Sequence, residues 1–139
     1  VIVVPPACCY EPVKRVVMAC DFQKITDSFP LEGLQRLLQR HDAELLVVNI
    51  DRQAKHKNAD PEQLAQESVL HTMLKDYHPK YYYNESDDVI NGILGFAKKH
   101  GAQMVIALPH KYSFFQSLLH DSVSKGLTVR SAVPVLLLK

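Results

Sequence analysis

Residues 45–50 read LLVVNI, and this run decides the fold class. A strand with one wet face alternates apolar and polar residues, whereas a near-continuous apolar run marks a strand covered on both faces, as in parallel sheets. The same signature recurs at residues 15–20 (RVVMAC), 104–108 (MVIAL) and 133–138 (VPVLLL), and in aromatic form at 80–83 (KYYY). Helix-like stretches lie between these runs. Leu31, Leu34, Leu37 and Leu38 share one helical face. Asp60-Pro61-Glu62-Gln63 combines an N-cap, a first-turn proline and a capping-box Gln, and opens a helix carrying Leu64, Val69, Leu70, Met73, Leu74 and Tyr77. Ser86 is the expected cap of a further helix with Val89, Ile90, Ile93, Leu94 and Ala97 inward, and Gly101 is its stop. Residues 111–130 are less periodic and hold a loop and a shorter helix. Strict alternation of apolar strands with helices implies an α/β fold, a doubly wound five-stranded parallel sheet with helices on both faces.

The bulk composition narrows the function classes. The chain has 139 residues, enough for one domain with a sizeable core. It is 47% hydrophobic and 22% charged with a net charge of +1, and no Lys/Arg stripe runs along it, which argues against a nucleic-acid partner. The longest apolar run, 132–138, is far too short to span a bilayer, so no membrane partner is expected. Three cysteines, two of them adjacent (Cys8 and Cys9), suit neither a disulfide framework nor a metal site, so a reducing cytoplasm is the expectation.

In such sheets ligands bind beyond the carboxyl ends of the strands, near the topological switch point. The candidates are therefore Asp21, Phe22 and Gln23 after the first strand, Asn49 and Asp51 at the second, and the segment 109–122 after the fourth. RVVMACD at 15–21, AELLVVNI at 43–50, the run 102–108, Asp121-Ser122-Val123 and VPVLL at 133–137 together resemble the universal stress protein family. The likeness covers nearly all of residues 13–139. It implies strand order 3-2-1-4-5 and, for bacterial members, a cytoplasmic stress-response role.

The resemblance also locates a departure. Nucleotide-binding members carry Gly-x-x-Gly, nine residues, then Gly-Ser or Gly-Thr after strand four. Aligning Asp121-Ser122-Val123 on that Gly-Ser puts the three glycine positions at Leu108, Lys111 and Asp121, and only Ser122 is kept. Glycines let backbone N–H groups close around a phosphate. Leu108 and Lys111 bring side chains into that approach, and Pro109 removes a donor. Asp121 adds about 1 kcal/mol or more of repulsion at contact distance. Lys111 offers only a point charge in return. No cofactor is therefore expected, ATP included. Asp21 matches the family's acidic residue near the adenine end, but an Asp after a strand is also ordinary turn chemistry, and that reading is favoured here. Asp21 and Ser122 are the residual nucleotide-site positions.

Other constellations are blander. His71 and His78 are seven apart, His110 and His120 flank the altered loop, and neither pair has the company of a zinc site. His120-Asp121-Ser122 has triad residue types, but adjacency gives no triad geometry. Tyr81-Tyr82-Tyr83 reads as a β-prone strand with alternate rings inside rather than a base-stacking platform. Phe114-Phe115 puts bulk where the family loop is small, with packing the expected role. VIVVPP at 1–6 resembles the family's own final strand, so residues 1–12 read as a remnant strand of a preceding domain plus linker, and 13–139 as the domain. The remnant is expected beside residues 135–138, covering an edge that otherwise pairs across a homodimer or a tandem pseudo-dimer. Three functions remain: a regulatory or interaction module for an unknown protein partner without nucleotide, a small-ligand binder using altered contacts, and a flavodoxin-like enzyme, for which no motif speaks.

Overall fold

The computed structural model describes residues 1–20, 31–51, 58–66, 69–107 and 122–138. The strands are β1 (Ile2–Val3), β2 (Arg15–Ala19), β3 (Glu44–Asp51), β4 (Lys80–Glu85), β5 (Met104–Ala107) and β6 (Val135–Leu137). The helices are α1 (Leu31–His41), α2 (Pro61–Gln66), α3 (Val69–Leu74), α4 (Val89–Lys99) and α5 (Ser122–Arg130). They build one sheet of order β1-β6-β5-β2-β3-β4. Counted from β2, the parallel strands run 3-2-1-4-5 as expected. The sheet has six strands rather than five because β1 pairs antiparallel with β6, Ile2 opposite Leu136 and Val3 opposite Val135. The Leu137 N–H donates to the Val1 carbonyl at 2.8 Å, so the outer edge of β6 is covered.

The apolar runs bury both faces of the sheet. Val16, Met18, Leu45 and Val47 point to a core shared with Leu34 and Leu38 of α1, Ala65 of α2 and Leu70 and Leu74 of α3. Val17, Ala19, Leu46, Val48 and Ile50 point to a second core with Ile93, Phe96 and Ala97 of α4 and Leu127 of α5. Val16, Val17, Met18, Val47 and Val48 have no exposed surface at all. Each fully buried aliphatic side chain of this size contributes about 1.5–3 kcal/mol.

Polar groups fix the amino ends of the strands. The Gln103 amide oxygen accepts from the backbone N–H of Lys14 at 2.9 Å and of Arg15 at 2.8 Å, locking β2 against β5. Glu44 joins three strands, pairing with Arg15 at 2.9 Å and with Lys80 at 2.7 Å. The Lys80 hydrogen bond, more than the Arg15 one, holds the Glu44 carboxyl below its usual range against the opposing pull of burial.

Three local expectations are corrected. The cap of α4 is Asp88, not Ser86: its carboxylate accepts from the Asn91 N–H at 3.1 Å, while the Ser86 hydroxyl donates to the Asp88 carbonyl at 2.9 Å. The helical stretch that opens at Pro61 ends in a 3-10 turn, Lys75–Tyr77, rather than running on as α-helix to Tyr77, and His78 closes it in the left-handed region at φ 47°. The tyrosines of β4 pack on both faces rather than one. Tyr81 and Tyr83 lie against the α1–α3 side, and Tyr82 meets Phe96 and His100 at ring distances of 5.1 and 5.2 Å. Gly101 ends the α4 region as expected, at φ +63°.

Two glycines of α4 separate packing from propensity. A Cβ on Gly92 would sit 2.9 Å from the Ser86 Cβ and 3.2 Å from Ile50, whereas one on Gly95 meets nothing within 4 Å. Gly92→Ala should therefore destabilise the fold by about 1–3 kcal/mol despite the better helix former. Gly95→Ala should stabilise it by about 0.5–1 kcal/mol. Urea denaturation of the two variants checks both signs.

Candidate functional site

The chain leaves β2 for β3 on one side and returns through β5 on the other, so the switch point lies at the carboxyl ends of β2 and β5. Four described elements bound it. β2 ends at Ala19, followed by buried Cys20, whose N–H donates to the Val48 carbonyl at 3.0 Å. β5 ends at Ala107. β3 brings Asn49 and Asp51, the buried polar residues of this end, exposed by only 8% and 7%. α5 begins at Ser122, so its first-turn N–H groups start where the sequence resemblance puts the family's last loop glycine.

The expected site residues divide accordingly. Asp21, Phe22 and Gln23 lie outside the described residues, as do Leu108, Lys111, Asp121, His110, His120, Phe114 and Phe115. Ser122 is the first residue of α5. Asp51 stands in register with Glu85 of β4 and is engaged in contacts of its own. Asn49 is different. Strand alternation aims it to the face of Leu45 and Val47, in register with Tyr83 on β4 and, continuing the ladder past Ala19 opposite Val48, beside Cys20 on β2. Among the described residues its amide has no hydrogen-bond partner. A mostly buried amide without one is an adaptable donor and acceptor at the point where a ligand of this fold would lie.

Among the described residues no group of three His, Cys, Asp or Glu could hold a metal ion. The structure does bring His71 and His78 together, on the wall of one cavity beside β4 that also includes Lys75 and Lys80. That cluster was missed in the sequence because its members converge only through the left-handed turn at His78. The His78-Pro79 pair was the local signal.

No family model and no curated relative matches the sequence. Solved structures do. A universal stress protein in complex with cAMP superposes with a TM-score of 0.63 at 14% identity, over 92% of this chain and 98% of that one. The universal stress protein from Archaeoglobus fulgidus in complex with dAMP gives 0.62 at 14% identity, over 93% and 100%. This fold is that of the universal stress proteins. A longer universal stress protein from Archaeoglobus fulgidus DSM 4304 gives 0.59 at 22% identity, with 91% of this chain spanning 44% of that one. No described helix is long and apolar enough to cross a membrane.

Among the described residues no hydrogen bond holds the Asn49 amide, so its removal should cost the fold little. Asn49→Leu, which keeps the volume and removes the polar group, should leave stability unchanged or raise it by up to about 1 kcal/mol. Guanidinium denaturation measures this, and a loss of more than about 2 kcal/mol would assign Asn49 a structural role.

Proposed function

We propose that this domain is a cytoplasmic regulatory or interaction module on the universal-stress-protein scaffold, without catalytic activity and without tight ATP binding. The observation that carries the reading is the replacement of all three loop glycines, by Leu108, Lys111 and Asp121. Asp121 immediately precedes in sequence Ser122, the first described residue of α5. A carboxylate at that point of the sequence adds a negative charge where the family pattern puts a phosphate.

A second reading rests on Asn49. The compared proteins that carry cAMP and dAMP share this fold, and a buried amide at the switch point can read a ligand by contacts that need no glycine loop. This is a weak small-ligand site with altered contacts, not a triphosphate site.

Calorimetry with ATP and AMP distinguishes these readings. The expected result is no saturable heat for the wild type, and binding gained on restoring the glycines in the triple variant Leu108→Gly, Lys111→Gly, Asp121→Gly. Micromolar ATP binding by the wild type, lost on Asp21→Ala, would overturn the proposal.

For partners, the reading is that β1 stands in for a strand of a second domain or copy. The covering of β6 by β1 and the apolar exposure of Val1, Ile2 and Val4 support it. Deleting residues 1–4 bares β6. Sedimentation velocity should then show concentration-dependent dimers where the uncut chain shows fewer, and a strictly monomeric truncated protein would contradict the role given to β1.

A further inference from the structure

The amino end of β4, remote from the switch-point crevice, holds an assembled cluster that the fold does not require. A cavity of about 460 Å³ opens there, bounded by His71 of α3, Lys75 of the 3-10 turn, His78, and Lys80 and Tyr81 of β4, with Glu62 of α2 as its acidic member. Three features bear on its occupant. First, charge: two lysines and two imidazoles face one carboxylate. The Lys80 ammonium is shared with Glu44 at 2.7 Å, but among the described residues no ion pair holds Lys75. Second, the Nδ1 atom of His71 is buried and, among the described residues, has no hydrogen-bond partner. A buried ring nitrogen left unsatisfied costs about 1–3 kcal/mol, which a bound partner removes. Third, the walls are preformed: Tyr81 packs against the core, and burial pushes its phenol up to about 12, so it stays neutral.

Basic residues gather at helix ends through the dipole alone. A cation recruited for that purpose needs neither a cavity nor a second imidazole, and it does not explain a buried nitrogen without a partner. We propose that this cavity is a binding site for a small anion, a phosphate- or carboxylate-bearing metabolite, whose charge is met by Lys75 and toward whose oxygen the His71 ring turns to donate from Nδ1–H. Glu62 disfavours a second anionic group, so the preferred ligand carries one such head and a neutral or donor-bearing remainder. The site is independent of the glycine-loop crevice and stands whether or not that crevice binds nucleotide.

The test is ligand titration of the full chain labelled with 15N at histidine, following the ring nitrogens. Inorganic phosphate, glycerol 3-phosphate and lactate serve as probes, and sodium chloride at matched ionic strength as control. The expected result is a saturable shift at His71 Nδ1 with phosphate, its ester or the carboxylate, absent with chloride. Whichever probe binds more tightly separates phosphate from carboxylate recognition. Lys75 is exposed, so Lys75→Ala should fold normally, and it should weaken binding about tenfold or more. His71→Phe, which removes both ring nitrogens, should abolish it. Absence of a saturable shift with every probe, or affinity unchanged in Lys75→Ala, overturns the proposal.

Discussion

Burial of β2 and β3 on both faces constrains everything else in this molecule. Val16 and Met18 go to one core, Val17 and Ala19 to the other, and β3 repeats the division with Leu45 and Val47 against Leu46 and Val48. Both cores being filled, the sheet interior has no room for chemistry. Polar function is displaced to the ends and edges of the strands. At the amino ends Gln103 and Glu44 spend their polar atoms on register. At the carboxyl ends Asn49 and Asp51 are buried at the switch point. One edge is closed by β1, and the other, β4, carries the basic cavity.

The parts of the fold legible in the sequence were those written as apolar runs, because double-sided burial leaves a signature that no helix face or turn imitates. Positions decided by competition between similar groups were less legible. Ser86 and Asp88 are both good caps, and the choice fell to Asp88 once the Ser86 hydroxyl was turned onto the Asp88 carbonyl. The tyrosine run showed a strand, but not that α4 would cover its second face and stack Phe96 against Tyr82.

The candidate site was legible in part. Asn49 was named for its place at the carboxyl end of the second strand, where ligands of such sheets lie. The glycine replacements are a comparison of sequence with a family pattern, and their positions lie outside the described residues. The basic cavity could not be found that way, since His71, Lys75 and Lys80 are unremarkable until the chain reverses at His78. Long-range convergence of this kind is a property of the packed helices rather than of any local motif.

The scaffold and the proposed function are thus in tension: a sheet shared with nucleotide-bound proteins, and a sequence with Leu108, Lys111 and Asp121 where the resemblance puts glycines. Thermal unfolding in the presence of ATP, AMP or cAMP tests this most directly, because a ligand that binds the native state raises its stability by about 2.7 kcal/mol at a hundred times its dissociation constant. The expected result with millimolar nucleotide is an unchanged midpoint. A rise of several degrees with ATP, at constant free magnesium, would contradict the loss of nucleotide binding.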